Sequence, residues 1–97
     1  MKKNTAVKFD RDNSQVNMAR YIAIVGGVER PDIRIDRHTN PQTGAVTVLT
    51  TSTLNADGSL PIPLPTMDGL VRNVEPNVKV VRNVKGRLWL RNYEVKK

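Results

Sequence analysis

Apolar and polar residues alternate along most of this chain, and that period of two predicts strands. Over residues 18–28, Ala19, Tyr21, Ala23 and Val25 fall on one parity and Met18, Arg20, Ile22 and Ile24 on the other. Both faces are mostly apolar, which predicts a central strand covered on both sides. Gly26-Gly27 interrupts it. No GxGxxG or Walker spacing follows, so the pair reads as a bend in a curved strand and not as a phosphate loop. The pattern resumes over 32–37, with Ile33 and Ile35 set against Asp32, Arg34 and Asp36, and one side of this strand is wet. A loop of turn formers, 38–44, leads into a further alternating strand over 45–53, which predicts a hairpin.

Beyond a loop at 54–58, proline alternates with aliphatics from Leu60 to Pro65. Proline has no amide hydrogen, so this segment is an edge strand or an extended run packed on its own domain. Residues 66–72 suit a helical turn with Thr66 as N-cap, weakened by Gly69. A turn at 73–77 delivers the chain into a long last strand, 78–93, with Val78, Val80, Val84, Leu88 and Leu90 in rough alternation. Gly86 inside it predicts a sharp bend. Past the bend, Trp89, Arg91 and Tyr93 share one face, while Leu88 and Leu90 take the other.

Residues 1–17 are polar and read as a flexible basic arm, with a short strand at 6–9 as its one structured candidate. Residues 18–97 then form one domain. Five curved strand segments point to an all-β fold, a five-stranded OB-type Greek-key barrel with a kinked first strand and at most one short helix. An SH3-like barrel is the second choice.

Charge narrows the partner. Sixteen Lys and Arg against nine Asp and Glu give a net charge of +7, which favours a polyanion, nucleic acid before an acidic membrane or protein. There is no cysteine and a single histidine, His38, which excludes disulfides, zinc ribbons, thiol nucleophiles and His-based triads. The acidic pairs Asp10 with Asp12 and Asp32 with Asp36 are accounted for by the arm and by ion pairing beside arginine. No metal, cofactor, small-molecule substrate or catalysis is expected. Apolar runs fall short of the ~18 residues of a membrane span, and no signal peptide is visible, so the expected place is the cytoplasm.

The order of segments resembles that of the bacterial single-stranded DNA-binding proteins and the related primosomal replication protein. The opening pattern of an apolar strand, glycine, a short proline-containing link and an alternating strand stands at 19–34; the Gly-Ala-Val run stands at Gly44, Ala45 and Val46. The closing pattern of a Val-rich strand, glycine, Arg-Leu, arginine and an aromatic stands at 78–93, with Lys85 where that family usually has an acid. The resemblance implies an OB fold, places Tyr93 at a base-stacking position and Arg91 at a basic one. The family's acidic-tipped tail has no counterpart here, so partner recruitment through it is not carried over.

The expected site therefore comprises Trp89 and Tyr93 as stacking rings, with Arg34, Arg37, Arg72, Arg82, Lys85, Arg87 and Arg91 as phosphate contacts. Trp89 has a competing reading as a core or interface residue. The expected function is non-sequence-specific binding of single-stranded DNA in replication or recombination, with RNA an open alternative ligand and a homo-oligomer, dimer or tetramer, compensating for sparse aromatics. The rival is a viral structural or host-inhibitory protein whose β-surface forms a protein–protein interface.

Overall fold

The computed structural model describes residues 5–96. Six strands and one helix follow in the order β1 (Ala6–Asn13), β2 (Met18–Val25), β3 (Val28–Thr39), β4 (Val46–Thr53), α1 (Leu64–Val74), β5 (Val78–Lys85) and β6 (Leu88–Val95). They make one sheet, ordered β1-β2-β3-β4-β6-β5, with every neighbouring pair antiparallel. The fold is thus mostly β, but with six strands where five were expected. The sheet is open, since β1 and β5 stand at opposite edges.

Register decides which side chains meet. Tyr21 lies opposite Ile35 and Ile35 opposite Thr50, while Val48 lies opposite Tyr93 and Ser52 opposite Trp89. Because paired residues share a face and neighbours along a strand alternate, these side chains line one side of the sheet. Helix α1 covers that side with Met67, Leu70 and Val71, an i, i+3, i+4 stripe, and its buried residues join Ala23, Ile33, Ile35, Val48, Trp89 and Tyr93 in a single core. Ile62, from the proline-alternating segment, is buried there too, as expected of a run that packs on its own domain.

Three local expectations are corrected. Gly26 and Gly27 have φ of +61° and +77°, so they form a two-residue hairpin turn that joins β2 to β3, closed by the Val25–Val28 pair. Two successive positive φ values are what a type I′ turn demands and what glycine supplies without steric cost. Gly86 likewise sits in the turn between β5 and β6, and the single bent strand expected over 78–93 is a hairpin. The helix begins at Leu64, not at Thr66; Pro63 holds the N-cap position with no side-chain cap. Proline is tolerated in that first turn because its missing N–H would have no helical partner there.

The expected arm is also mostly sheet. Ala6–Asn13 pairs along β2, with a bulge between Phe9 and Arg11, and Val7 packs against the core. Val7 and Phe9 have the parity of Tyr21 and Ala23, which brings this strand's apolar side chains to the helix-covered side. Lys2 and Lys3, the rest of the proposed basic arm's start, lie outside the described residues.

One polar atom in the core is unpaired. Ser52 Oγ is buried between Ile33 and Trp89 in the register and has no hydrogen-bond partner among the described residues. A buried hydroxyl without a partner costs roughly 1–3 kcal/mol. Ser52→Ala should therefore raise the unfolding free energy by about 1 kcal/mol, read as a higher denaturant midpoint at unchanged m-value.

Candidate nucleic-acid interface

Trp89, Arg91 and Tyr93 do share one face, but it is the face that α1 covers. Trp89 is 1% exposed and Tyr93 2% exposed, so neither ring is presented to a base. The Arg91 guanidinium lies 6.0 Å from the Trp89 ring centre and 5.7 Å from that of Tyr93. Its Nε donates to Tyr93 Oη at 3.0 Å, and Tyr93 Oη donates to Asp68 Oδ1 of α1 at 2.6 Å. Arg91 Nε also stands 3.3 Å from the same carboxylate oxygen. This arginine is committed to an internal network that ties sheet to helix, and it is not free for phosphate. The stacking role expected of Trp89 and Tyr93, and the phosphate role expected of Arg91, are corrected accordingly: an apolar helix face occupies the space a base would need.

Burial pushes the Tyr93 phenol well above its ordinary range, reinforced by the hydrogen bond to Asp68 and its charge, with Arg91 acting in the opposite direction. Arg37 is also on the helix-covered side and is paired, its Nε 3.0 Å from Glu75 Oε1 at the C-cap of α1. Arg72 is exposed, but on the last turn of α1, away from the uncovered face of the sheet.

The remaining predicted cations lie on the uncovered face and at the β5 edge. Arg34 and Arg82 project from the uncovered face, where Arg34 lies opposite Ile22 and Thr51, and Arg82 opposite Asn92. Lys85 ends β5, and Arg87 lies in the adjoining turn. All four are exposed, and none makes an ion pair with another described residue. Lys79, which sequence reasoning omitted, belongs with them: it is exposed, makes no ion pair with a described residue, and lies on the same side as Arg82, opposite Glu94 in the register. Its signal was available, because residues 76–93 contain no Asp or Glu and Lys79 is the first cation of that run. One acid lies near the tip, Asp57 of the β4–α1 loop; its carboxyl is held low mainly by hydrogen bonds from Ser59, with a smaller contribution from Lys85.

Other cations of the uncovered face are neutralised locally. Arg20 grips Asp36 through Nε and Nη2 at 2.8 and 3.0 Å, and Lys8 Nζ reaches Glu29 Oε2 at 3.0 Å. Asp32 is likewise held by Arg30, whose hydrogen bond lowers its pKa. Between these pairs and the β5 edge lie the half-buried Ile22, Leu49 and Leu90, with no aromatic side chain on that face among the described strand residues. No three His, Asp or Glu side chains come together as a metal site among the described residues. No helix there is long and apolar enough to cross a membrane.

No protein-family model, curated protein or solved structure matches this chain, so nothing among them indicates a single-stranded DNA-binding family.

The Tyr93 network has a pH signature. The folded-state pKa lies above the unfolded value of about 10, so the protonated phenol's contribution is complete below pH ~10 and is lost as pH rises beyond it. Unfolding free energy, measured by denaturant titration from pH 8 to pH 11, should fall less steeply in Tyr93→Phe than in the parent protein. At pH 7 the same variant should be destabilised by about 1–2 kcal/mol, because Asp68 loses a donor but keeps Arg91.

Proposed function

We propose that this protein binds nucleic acid through the phosphate backbone, without sequence preference, along the cationic edge formed by Lys79, Arg82, Lys85 and Arg87, with Arg34 extending the contact across the uncovered face. The observation that carries this reading is the acid-free run of residues 76–93, whose four exposed cations have no intramolecular partner among the described residues. Exposed ion pairs contribute roughly 0–1 kcal/mol each, so affinity here comes from the number of phosphates neutralised and the counterions released.

A single strand is the preferred ligand. A twisted sheet edge can be followed by a flexible backbone, whereas a duplex with a persistence length of about 50 nm must be bent to follow it. Base stacking by Trp89 and Tyr93 is not part of this proposal. A relation to the OB plan enters only through element order: the meander β2–β4, then a helix, then a hairpin whose second strand pairs with β4. A role in coating or handing over strands during replication or recombination fits sequence-blind binding.

Fluorescence anisotropy of a labelled oligo(dT) tests the proposal. If all four edge cations touch phosphate, log affinity should fall against log salt with a slope of about −2.8 for a single strand, that is about −0.7 per contact. The Lys85→Ala/Arg87→Ala double variant should flatten that slope to about −1.4 and weaken binding at low salt. Arg72→Ala should leave it unchanged. Equal binding by the parent and a variant lacking all four cations would overturn the proposal, as would tighter binding to duplex than to single strand.

A further inference from the structure

The two edges of the sheet are both open and both partly apolar. On β1, Phe9 is 54% exposed; on β5, Val80, Val81 and Val84 are between 38% and 45% exposed. An edge strand presents a row of unpaired backbone N–H and C=O groups, a template for another strand. Proline is absent from both strands; the bulges at Asp10 and Val81, which twist the edge, and the charged side chains Lys8, Lys79, Arg82 and Lys85 are what act against pairing.

Strand polarity permits two copies to join head to tail. Six strands paired antiparallel throughout leave β1 and β5 running in opposite directions. When β5 of one copy is laid beside β1 of the next with the helices on the same side, the new pair is antiparallel as well, so the ladder continues without reversal. Both strands have eight residues. Their apolar residues on the helix-covered side, Val7 and Phe9 on β1 and Val78 and Val80 on β5, would continue one row across the seam.

Charge separates this arrangement from a two-fold one. Strand β5 carries Lys79, Arg82 and Lys85 and no acid, so pairing β5 with its own copy would set three cations against the same three. Strand β1 carries Lys8 and Arg11, already paired with Glu29 and Asp10, while Asp12 lies opposite Ala19 on the helix-covered side. A basic edge then meets one whose cations are already balanced by acids of their own copy. We infer that the occupant of the β5 edge is β1 of a second copy of this chain, in head-to-tail association that extends the sheet. Such a heterologous contact yields a ring if it closes and a filament if it does not.

On the uncovered side of the seam Arg82 and Lys79 come near Lys8 and Arg11, so this association strengthens as salt screens the net positive charge. The salt response is opposite in sign to that of phosphate binding, and the assay contains no nucleic acid, so its result is independent of the proposed function.

The chain has no cysteine, which makes site-specific cross-linking direct. Phe9→Cys and Val80→Cys chains, mixed and treated with a short bis-maleimide, should give dimers that increase with salt. A chain carrying both substitutions should give a ladder, and either single variant alone should give no cross-linked dimer. Sedimentation of the unsubstituted protein should show a mass that rises with concentration above the 10.9 kDa of one chain, and Val80→Lys should return it to that value. Dimers from either single variant alone, or an unsubstituted protein that stays monomeric at every concentration and salt, would overturn the inference.

Discussion

The packing of one eleven-residue helix against one face of an open sheet is the constraint on which the rest depends. It determines which half of every strand is core and which half meets solvent. Met67, Leu70 and Val71 supply the apolar cover, and the Asp68–Tyr93–Arg91 network adds a polar tie whose partners are mutually satisfied. Burying a polar trio is costly when any member lacks a partner. Here the carboxylate receives the phenol, and the guanidinium serves both while lying close to two aromatic rings.

That packing sorts the cations by task. Arg37 and Arg91 face the helix and are held by its acids, Glu75 and Asp68; Arg20 and Arg30 are held by acids of the sheet itself. Among the described residues, Lys79, Arg82, Lys85 and Arg87, which make no ion pair, gather on β5 and its turn, with Arg34 on β3 and Arg72 on α1 apart from them. The excess of positive charge is therefore not spread evenly, because Asp10, Glu29, Asp32, Asp36, Asp68 and Glu75 each hold a cation of the first four strands or of β6 within the fold. Net positive charge favours a polyanion at long range, and this division is the reason the proposed contact is placed at β5.

Much of the architecture is legible in the alternation of residues. The strands over 18–25 and 46–53, the single wet face of the one containing Ile33 and Ile35, the loop at 38–44 and the inward packing of Ile62 all follow from period-two patterning and turn chemistry. Glycine proved ambiguous. Gly26-Gly27 and Gly86 each stand between two alternating runs, and a bent strand and a hairpin look alike until pairing partners are known. Parity correctly put Trp89, Arg91 and Tyr93 on one face. Which parity is covered depends on where α1 lands, and its stripe was obscured by Pro65 at the start and Gly69 in the middle. Tertiary packing thus reversed the reading of the rings: the residues most suited to stacking on a base stack instead under a helix.

Trp89 is the only tryptophan, so its emission reports on this reversal without ambiguity. Its spectrum and its quenching by acrylamide, recorded as oligo(dT) is added to saturation as judged from the labelled strand, give the most direct test. A blue-shifted, poorly quenched emission that stays unchanged while the strand binds is the predicted result. Quenching of Trp89 by the strand, together with free access of acrylamide in its absence, would contradict a helix-covered face and return the ring to the binding surface.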